Sequence, residues 1–126
     1  MSEKHSMTGV LISLDYQPIA TYTGGVPGLA PTSPSVTGRR LGEGTPAERA
    51  YEHFINGIER EFEAALAGMM PEARITHRLR LVFGGVAVTL PANRVNDLRR
   101  LVHVVDVQPD RMMHVDQPAP RTDVGR

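Results

Sequence analysis

Apolar positions recur with two different periods along this chain, and the switches between them mark its elements. In residues 8–14, Val10, Ile12 and Leu14 alternate with other side chains, the period of a half-buried strand. Over residues 15–44 no period survives. Gly24-Gly25, Pro27-Gly28, Pro31, Pro34 and Gly38 interrupt any regular element, which predicts one long irregular excursion. A connection of that length in a compact domain is expected to be functional or flexible.

Thr45-Pro46-Ala47-Glu48 then reads as a helix start: a capping threonine, a proline at the first helical position, and a glutamate where a capping box needs one. Tyr51, Phe54, Ile55, Ile58, Phe62, Ala65, Leu66 and Met69 follow at three- and four-residue steps, one apolar stripe that Gly68 and Pro71 stop. Over residues 74–82 the period returns to two. Ile75, His77, Leu79 and Leu81 fall on one expected face, and Thr76, Arg78 and Arg80 on the other. Gly84-Gly85 marks a turn or bulge before a third strand carrying Val86, Val88 and Leu90. A short amphipathic helix with Val95, Leu98 and Leu101 precedes a fourth strand over residues 102–107, which Pro109 is expected to end.

The flanks, residues 1–7 and 111–126, are polar and aperiodic. They read as a disordered N-terminus and a flexible tail around a domain of residues 8–110. The order β, loop, α, β, β, α, β with right-handed crossovers predicts an α+β, ferredoxin-like (split βαβ) fold, a four-stranded antiparallel sheet with two helices on one face. The uncovered face is expected to display Thr76, Arg78, Arg80, Ala87, Thr89 and Asp106. An antiparallel sheet tolerates a wet face, so solvation and docking on a partner both fit.

Composition narrows the function classes. Lys+Arg and Asp+Glu each number 14, so no long-range attraction to nucleic acid or an anionic membrane is expected. No apolar run approaches the roughly 20 residues that a membrane span needs. The opening MSEKHSM carries no apolar export signal. Tryptophan and cysteine are absent and Tyr and Phe number three each, so the core must be largely aliphatic; disulfides, thiolate chemistry and cysteine-zinc sites are excluded.

The polar residues show no catalytic constellation. Every serine lies in the first 35 residues and none sits in a Gly-x-Ser-x-Gly elbow. His5, His53, His77, His103 and His114 show no metal-ligand spacing, so no metal and no cofactor is expected. His77, on the expected core face of its strand, reads as a structural residue or as a pH sensor whose charging in acid would destabilise the fold. The glycines at 24, 25 and 28 lack the Gly-Lys-Ser/Thr ending of a phosphate loop. Arg39-Arg40 reads as a solvated pair or a processing site, and Arg99-Arg100 as a complement to a helix dipole.

Two stretches carry a family likeness. Residues 16–34, YQPIATYTGGVPGLAPTSP, look like a run found in the pro-regions of secreted bacterial subtilases. Leu81-Val82-Phe83-Gly84-Gly85-Val86-Ala87-Val88-Thr89-Leu90-Pro91, followed by Val104-Val105-Asp106-Val107-Gln108-Pro109-Asp110, is similar to the general propeptide pattern of subtilisin-like serine proteases. The likeness spans residues 8–111. It implies an inhibitor and intramolecular chaperone without enzymatic activity of its own, whose partner is a subtilisin-like protease domain in cis or in trans. It also implies that the open sheet face, with Arg78, Arg80, Gly84, Gly85, Asp106, Gln108 and Asp110, docks on the protease. Asp110 would cap free N–H groups at a protease helix start. Arg111, Met112, Met113, His114, Val115 and Asp116 would lie in the substrate cleft as an added strand, like a product that does not leave. The chain departs from that pattern at Gln108, where the family has an acid, and at Gly84-Gly85-Val86 in place of Asn-Gly-Phe. It departs also at His103, where a glycine is usual, and at Pro91 in place of a capping threonine. This last change is expected to weaken the second helix start by about 1 kcal/mol.

The resemblance implies an extracellular setting if the chain belongs to a secreted precursor, and a cytoplasmic one otherwise. A stand-alone protease inhibitor and a regulatory ferredoxin-like domain that pairs through its sheet are the alternative roles.

Overall fold

The computed structural model describes residues 6–110. β1 (Met7–Leu14), α1 (Pro34–Thr37), α2 (Pro46–Met69), β2 (Arg74–Leu79), β3 (Gly85–Pro91), a 3-10 helix (Ala92–Arg100) and β4 (Val104–Pro109) follow in order. The strands form one sheet in the order β2-β3-β1-β4, every neighbouring pair antiparallel. This is the α+β, ferredoxin-like arrangement that the order of elements predicts.

The core forms on one sheet face because β1 and β3 share a register that aligns their apolar positions. Val10 pairs with Val88 and Ile12 with Val86, and the same face takes Val107 from β4. Against it lie Tyr51, Ile55, Phe62 and Leu66 of α2 and Leu98 of the 3-10 helix, all buried. Each such aliphatic side chain contributes about 1.5–3 kcal/mol through burial.

α2 begins as its sequence dictates. Thr45 Oγ1 accepts from the Glu48 N–H at 3.2 Å, and Pro46 occupies the first turn. Glu48 does not close the capping box on the threonine. Its carboxylate reaches further back, accepting from the Gly44 N–H at 2.9 Å and the Gly42 N–H at 3.2 Å, so it ties the incoming loop to the helix.

Several boundaries differ from the sequence reading. Met7, expected in a disordered N-terminus, is the first residue of β1, paired with Pro91. β4 starts at Val104 rather than 102 and ends at Pro109 as expected, although Pro109 itself still pairs with Val10, which an edge strand permits because its missing N–H can face outward. The second helix is 3-10 and Pro91 supplies no side-chain cap, in line with the weak start expected there.

The excursion over residues 15–44 is irregular outside α1, as its glycines and prolines predict, but most of it is not loose. Instead of a flexible connection, residues 15–33 form an ordered strap, and four residues beyond it even close a helical turn, α1. Tyr16, Ile19 and Tyr22 are buried in the core cluster. The Tyr22 ring stacks on Tyr51 at 4.1 Å with an 11° interplanar angle. Its hydroxyl donates to the Leu29 carbonyl at 2.9 Å and accepts from the Val26 N–H at 3.0 Å, so one side chain fixes the glycine-rich turn. Thr32 Oγ1 donates to the Ile19 carbonyl at 2.7 Å. The strap also pairs with the β2–β3 turn, where Ile19 and Ala20 donate to the carbonyls of Arg80 and Leu81. Irregular backbone is stable here because aromatic anchors and backbone hydrogen bonds replace a regular element.

Candidate functional interface

The helices cover one sheet face, so the other is the candidate interface. By register it carries Gly9, Leu11 and Ser13 from β1, Ala87 and Thr89 from β3, and Asp106 and Gln108 from β4. Leu11 lies at its centre, flanked by the small residues Gly9, Ser13 and Ala87. Asp106 and Gln108 are exposed at its β4 edge, and Asp106 makes only a loose 3.8 Å pair with Arg99, both side chains more than half exposed.

Two residues assigned to this face lie elsewhere. β2 carries a bulge at Thr76: Ile75 pairs with Val88, but His77 pairs with Ala87 and Arg78 with Val86. The extra residue inverts the alternation beyond it, because a shift of one position exchanges the faces of a strand. Arg78 therefore joins Ile75 on the helix-covered side, and Arg80 follows it in the turn. His77, expected in the core, is exposed on the opposite side with only a 3.3 Å contact to Thr76 Oγ1. The core burial on which the pH-sensor reading of His77 rested is therefore not found.

The two arginines meet a buried acid instead. Glu59 of α2 is 2% exposed; Arg80 Nη2 and Nε donate to its two oxygens at 2.6 and 3.2 Å, and Arg78 Nη1 donates to Oε1 at 3.2 Å. Arg80 Nη2 also reaches Asn56 Oδ1 at 2.6 Å. The buried Tyr16 hydroxyl lies beside Glu59 in the same surroundings, outside hydrogen-bonding geometry with any of the described residues. Burial, and next the Glu59 carboxylate, push its ionisation well above the usual phenol range. The cluster fastens β2 and the strap to α2. Its signal was present in the sequence: Glu59 falls in register with Ile55, Phe62 and Leu66, so a carboxylate sits within the apolar stripe and requires a cation beside it.

Gly84 and Gly85 are likewise structural. Gly84 has φ of 84°, and an added Cβ would stand 3.2 Å from the Pro18 ring and the Tyr16 carbonyl oxygen. At Gly85 a Cβ would fall on the backbone carbonyl of Ile12. Both lie where the strap, β1 and β3 converge. Asp110, expected to offer its carboxylate to a partner, is only 4% exposed, and its N–H donates to the Gly9 carbonyl at 3.0 Å. The expected cleft residues Arg111, Met112, Met113, His114, Val115 and Asp116 lie outside the described residues.

Sequence reading missed a second polar cluster. His103, just before β4, has φ of 71°, the left-handed region that favours glycine. Its Nδ1 lies 2.9 Å from the Asp15 carboxylate and its Nε2 2.6 Å from Glu61 Oε1. Carboxylates only accept, so both bonds form together only when the imidazole carries two protons. Burial alone would lower its pKa, but the bonds to Glu61 and Asp15 outweigh that and raise it above the ordinary 6.5. Asp15 and His103 are 88 residues apart in the chain, and no local pattern joins them.

A pH dependence follows. With the folded-state value raised, the clamp gives its full stability below about pH 6.5, provided the carboxylates remain ionised, and loses it as pH rises through the folded value. Both carboxylates are well solvated, so the expected loss between pH 6 and 9 is about 0.5–1 kcal/mol in urea denaturation. His103→Gln should flatten that profile. His103→Gly should cross the parent's profile: less stable at pH 6, where the clamp is lost, and equal or more stable at pH 9, where relief of the left-handed backbone remains. Parallel profiles for the parent and both variants would remove the clamp as the cause.

Among the described residues no cluster of three His, Cys, Asp or Glu side chains has metal-binding geometry, and no helix is long and apolar enough to cross a membrane. Comparison with protein-family models, curated proteins and solved structures finds no match to this chain.

Proposed function

We propose that this chain is a propeptide-type inhibitor and folding chaperone of a subtilisin-like serine protease. The observation that carries the reading is the helix-free sheet face, with Gly9, Leu11, Ser13 and Ala87 along its middle and exposed Asp106 and Gln108 on the strand that leads directly into residue 111. Two further features support it. The subtilase-like run of residues 16–34 is the ordered strap, so its tyrosines and glycines have defined places. The position where the resembling family carries glycine, His103, has the backbone conformation that glycine favours.

In this reading Asp106 takes the helix-capping role first given to Asp110, since it is exposed on the docking face. An acid there stabilises a partner helix start by about 0.3–1 kcal/mol. Residues 111–116 then enter the cleft by strand addition, main-chain bonds supplying affinity and alternate side chains specificity.

Titration of the purified chain against a subtilisin-like protease tests this. Slow, tight inhibition is the expected result, and removal of the residues after Asp110 should weaken it about a hundredfold, near 2.7 kcal/mol. Equal inhibition by the trimmed and intact chains would refute the tail's role, and no inhibition by either would refute the proposal.

A further inference from the structure

We infer that the arch of residues 34–44 is a proteolytic target, cut after Arg40 by an endoprotease whose primary pocket is acidic. The inference does not rest on the inhibitory reading. Every residue from 34 to 44 is exposed except Leu41, which is half-buried against the core cluster. The arch follows the well-anchored strap and precedes α2, so exposure rises sharply between two firmly packed segments.

Its anchors are few and local. Val36, Thr37 and Gly38 donate only to Ser33 and Pro34, and Arg39 only to Thr37 Oγ1. The sole tie to α2 by hydrogen bonding is the pair from Gly42 and Gly44 to Glu48. Gly38, Gly42 and Gly44 all have positive φ, so the bend is held by residues that extend readily once Leu41 leaves its contact. An exposed stretch with weak anchors is the usual point of nicking, since a protease must draw several residues into an extended strand.

The cation that would enter the pocket is already identifiable. Arg39 is paired with Glu43 at 3.7 Å, whereas Arg40 makes no ion pair among the described residues. The remaining arginines there lie in α2, β2, the β2–β3 turn or the 3-10 helix, where backbone hydrogen bonds oppose withdrawal of the segment into a protease cleft. Hydrolysis adds one water across the Arg40–Leu41 amide. The C–N bond breaks, leaving a carboxylate on Arg40 and an ammonium on Leu41.

The cut does not free the two pieces at once. The N-terminal piece keeps β1, which pairs with both β3 and β4 at the centre of the sheet, and the strap tyrosines stay against α2. What changes is molecularity: two fragments must now find each other, so stability depends on concentration. The arch is thus a point at which one bond turns a self-contained domain into a dilutable complex.

Brief digestion of the full chain with trypsin, read by intact mass, tests the assignment. The first cut within residues 6–110 is expected after Arg40. The two pieces should co-elute under native conditions, separate in urea, and melt at a temperature that falls on dilution. The double variant R39Q/R40Q should slow this cut on the order of a hundredfold, because an acidic pocket left without its cation binds poorly. Its unchanged circular dichroism melt would show that folding is not the cause. Glu48→Gln should speed the cut several-fold, since cleavage tracks the population of the opened arch. A first cut within α2 or at Arg99-Arg100, with the Arg40–Leu41 bond intact, overturns the assignment. Pieces that part on a native column overturn the two-piece state.

Discussion

Gly85→Ala should cost about 4 kcal/mol or more and leave the domain largely unfolded at 37 °C. The added methyl would fall on the Ile12 carbonyl, an atom of the central strand β1. Overpacking against side chains costs about 1–3 kcal/mol because rotamers adjust, but here both sides are backbone and no rotamer can yield. The β1–β3 ladder must part where Ser13 opposes Gly85, beside the Ile12–Val86 pair of the core. Against a typical stability of about 5–15 kcal/mol, such a loss removes much of the whole. The neighbouring Gly84→Ala should cost less, about 1–2 kcal/mol, for its positive φ and the 3.2 Å approach of Pro18. Gly57→Ala provides the opposite sign. It lies inside α2 with open space around it, so a gain of about 0.5–1 kcal/mol is expected. Urea denaturation of the three variants checks the ranking, and a Gly85→Ala protein as stable as its parent would mean that β1 and β3 do not approach as described.

The second large effect is expected at Glu59. Glu59→Ala should destabilise the domain by about 3 kcal/mol, since it strips two arginines of the carboxylate around which they are packed. The reciprocal change, Arg78→Ala with Arg80→Ala, should cost as much or more. It leaves a carboxylate that is 2% exposed without a cation, while the arginine side chains are 27% and 41% exposed and recover some hydration when orphaned. The exposed pair Arg39–Glu43 is the contrast: its removal should change stability by less than about 0.5 kcal/mol. Salt separates the two classes, because screening weakens the exposed pair and leaves the buried one largely intact. Equilibrium unfolding at low and high salt would decide the matter. A loss at Glu59 no larger than at Arg39–Glu43 would place the cluster among ordinary surface ion pairs.

These two sites show where sequence reading stopped. The strand and helix periods, the Thr45 cap and the order of elements are local properties, set within a turn or a pleat of each residue. They were sufficient for the α+β, ferredoxin-like arrangement and for most of the core: Val10, Ile12, Val86, Val88, Ile55 and Phe62 are where their spacing put them. The candidate interface was legible on β3 and on the part of β4 beyond its register shift at Val105, where Ala87, Thr89, Asp106 and Gln108 share one face.

It failed on β2 because a single unpaired residue, Thr76, reverses the faces beyond it, and a bulge is chosen by the partner strand rather than by local sequence. Arg78 and Arg80 thus moved from the expected docking face to Glu59, and His77 from the core to solvent. The strap was unreadable for a related reason. Glycine and proline announce that no regular element forms, but they do not say whether the chain is loose or anchored. That depended on Tyr22 finding Tyr51, and on carbonyls and N–H groups finding partners across the fold. By itself the sequence determined the elements, their order and the apolar faces of most of them, all short-range consequences of backbone geometry and burial. Only the tertiary structure decided the pairing of charges, the ordering of the strap and the His103 clamp, because each joins groups far apart in the chain.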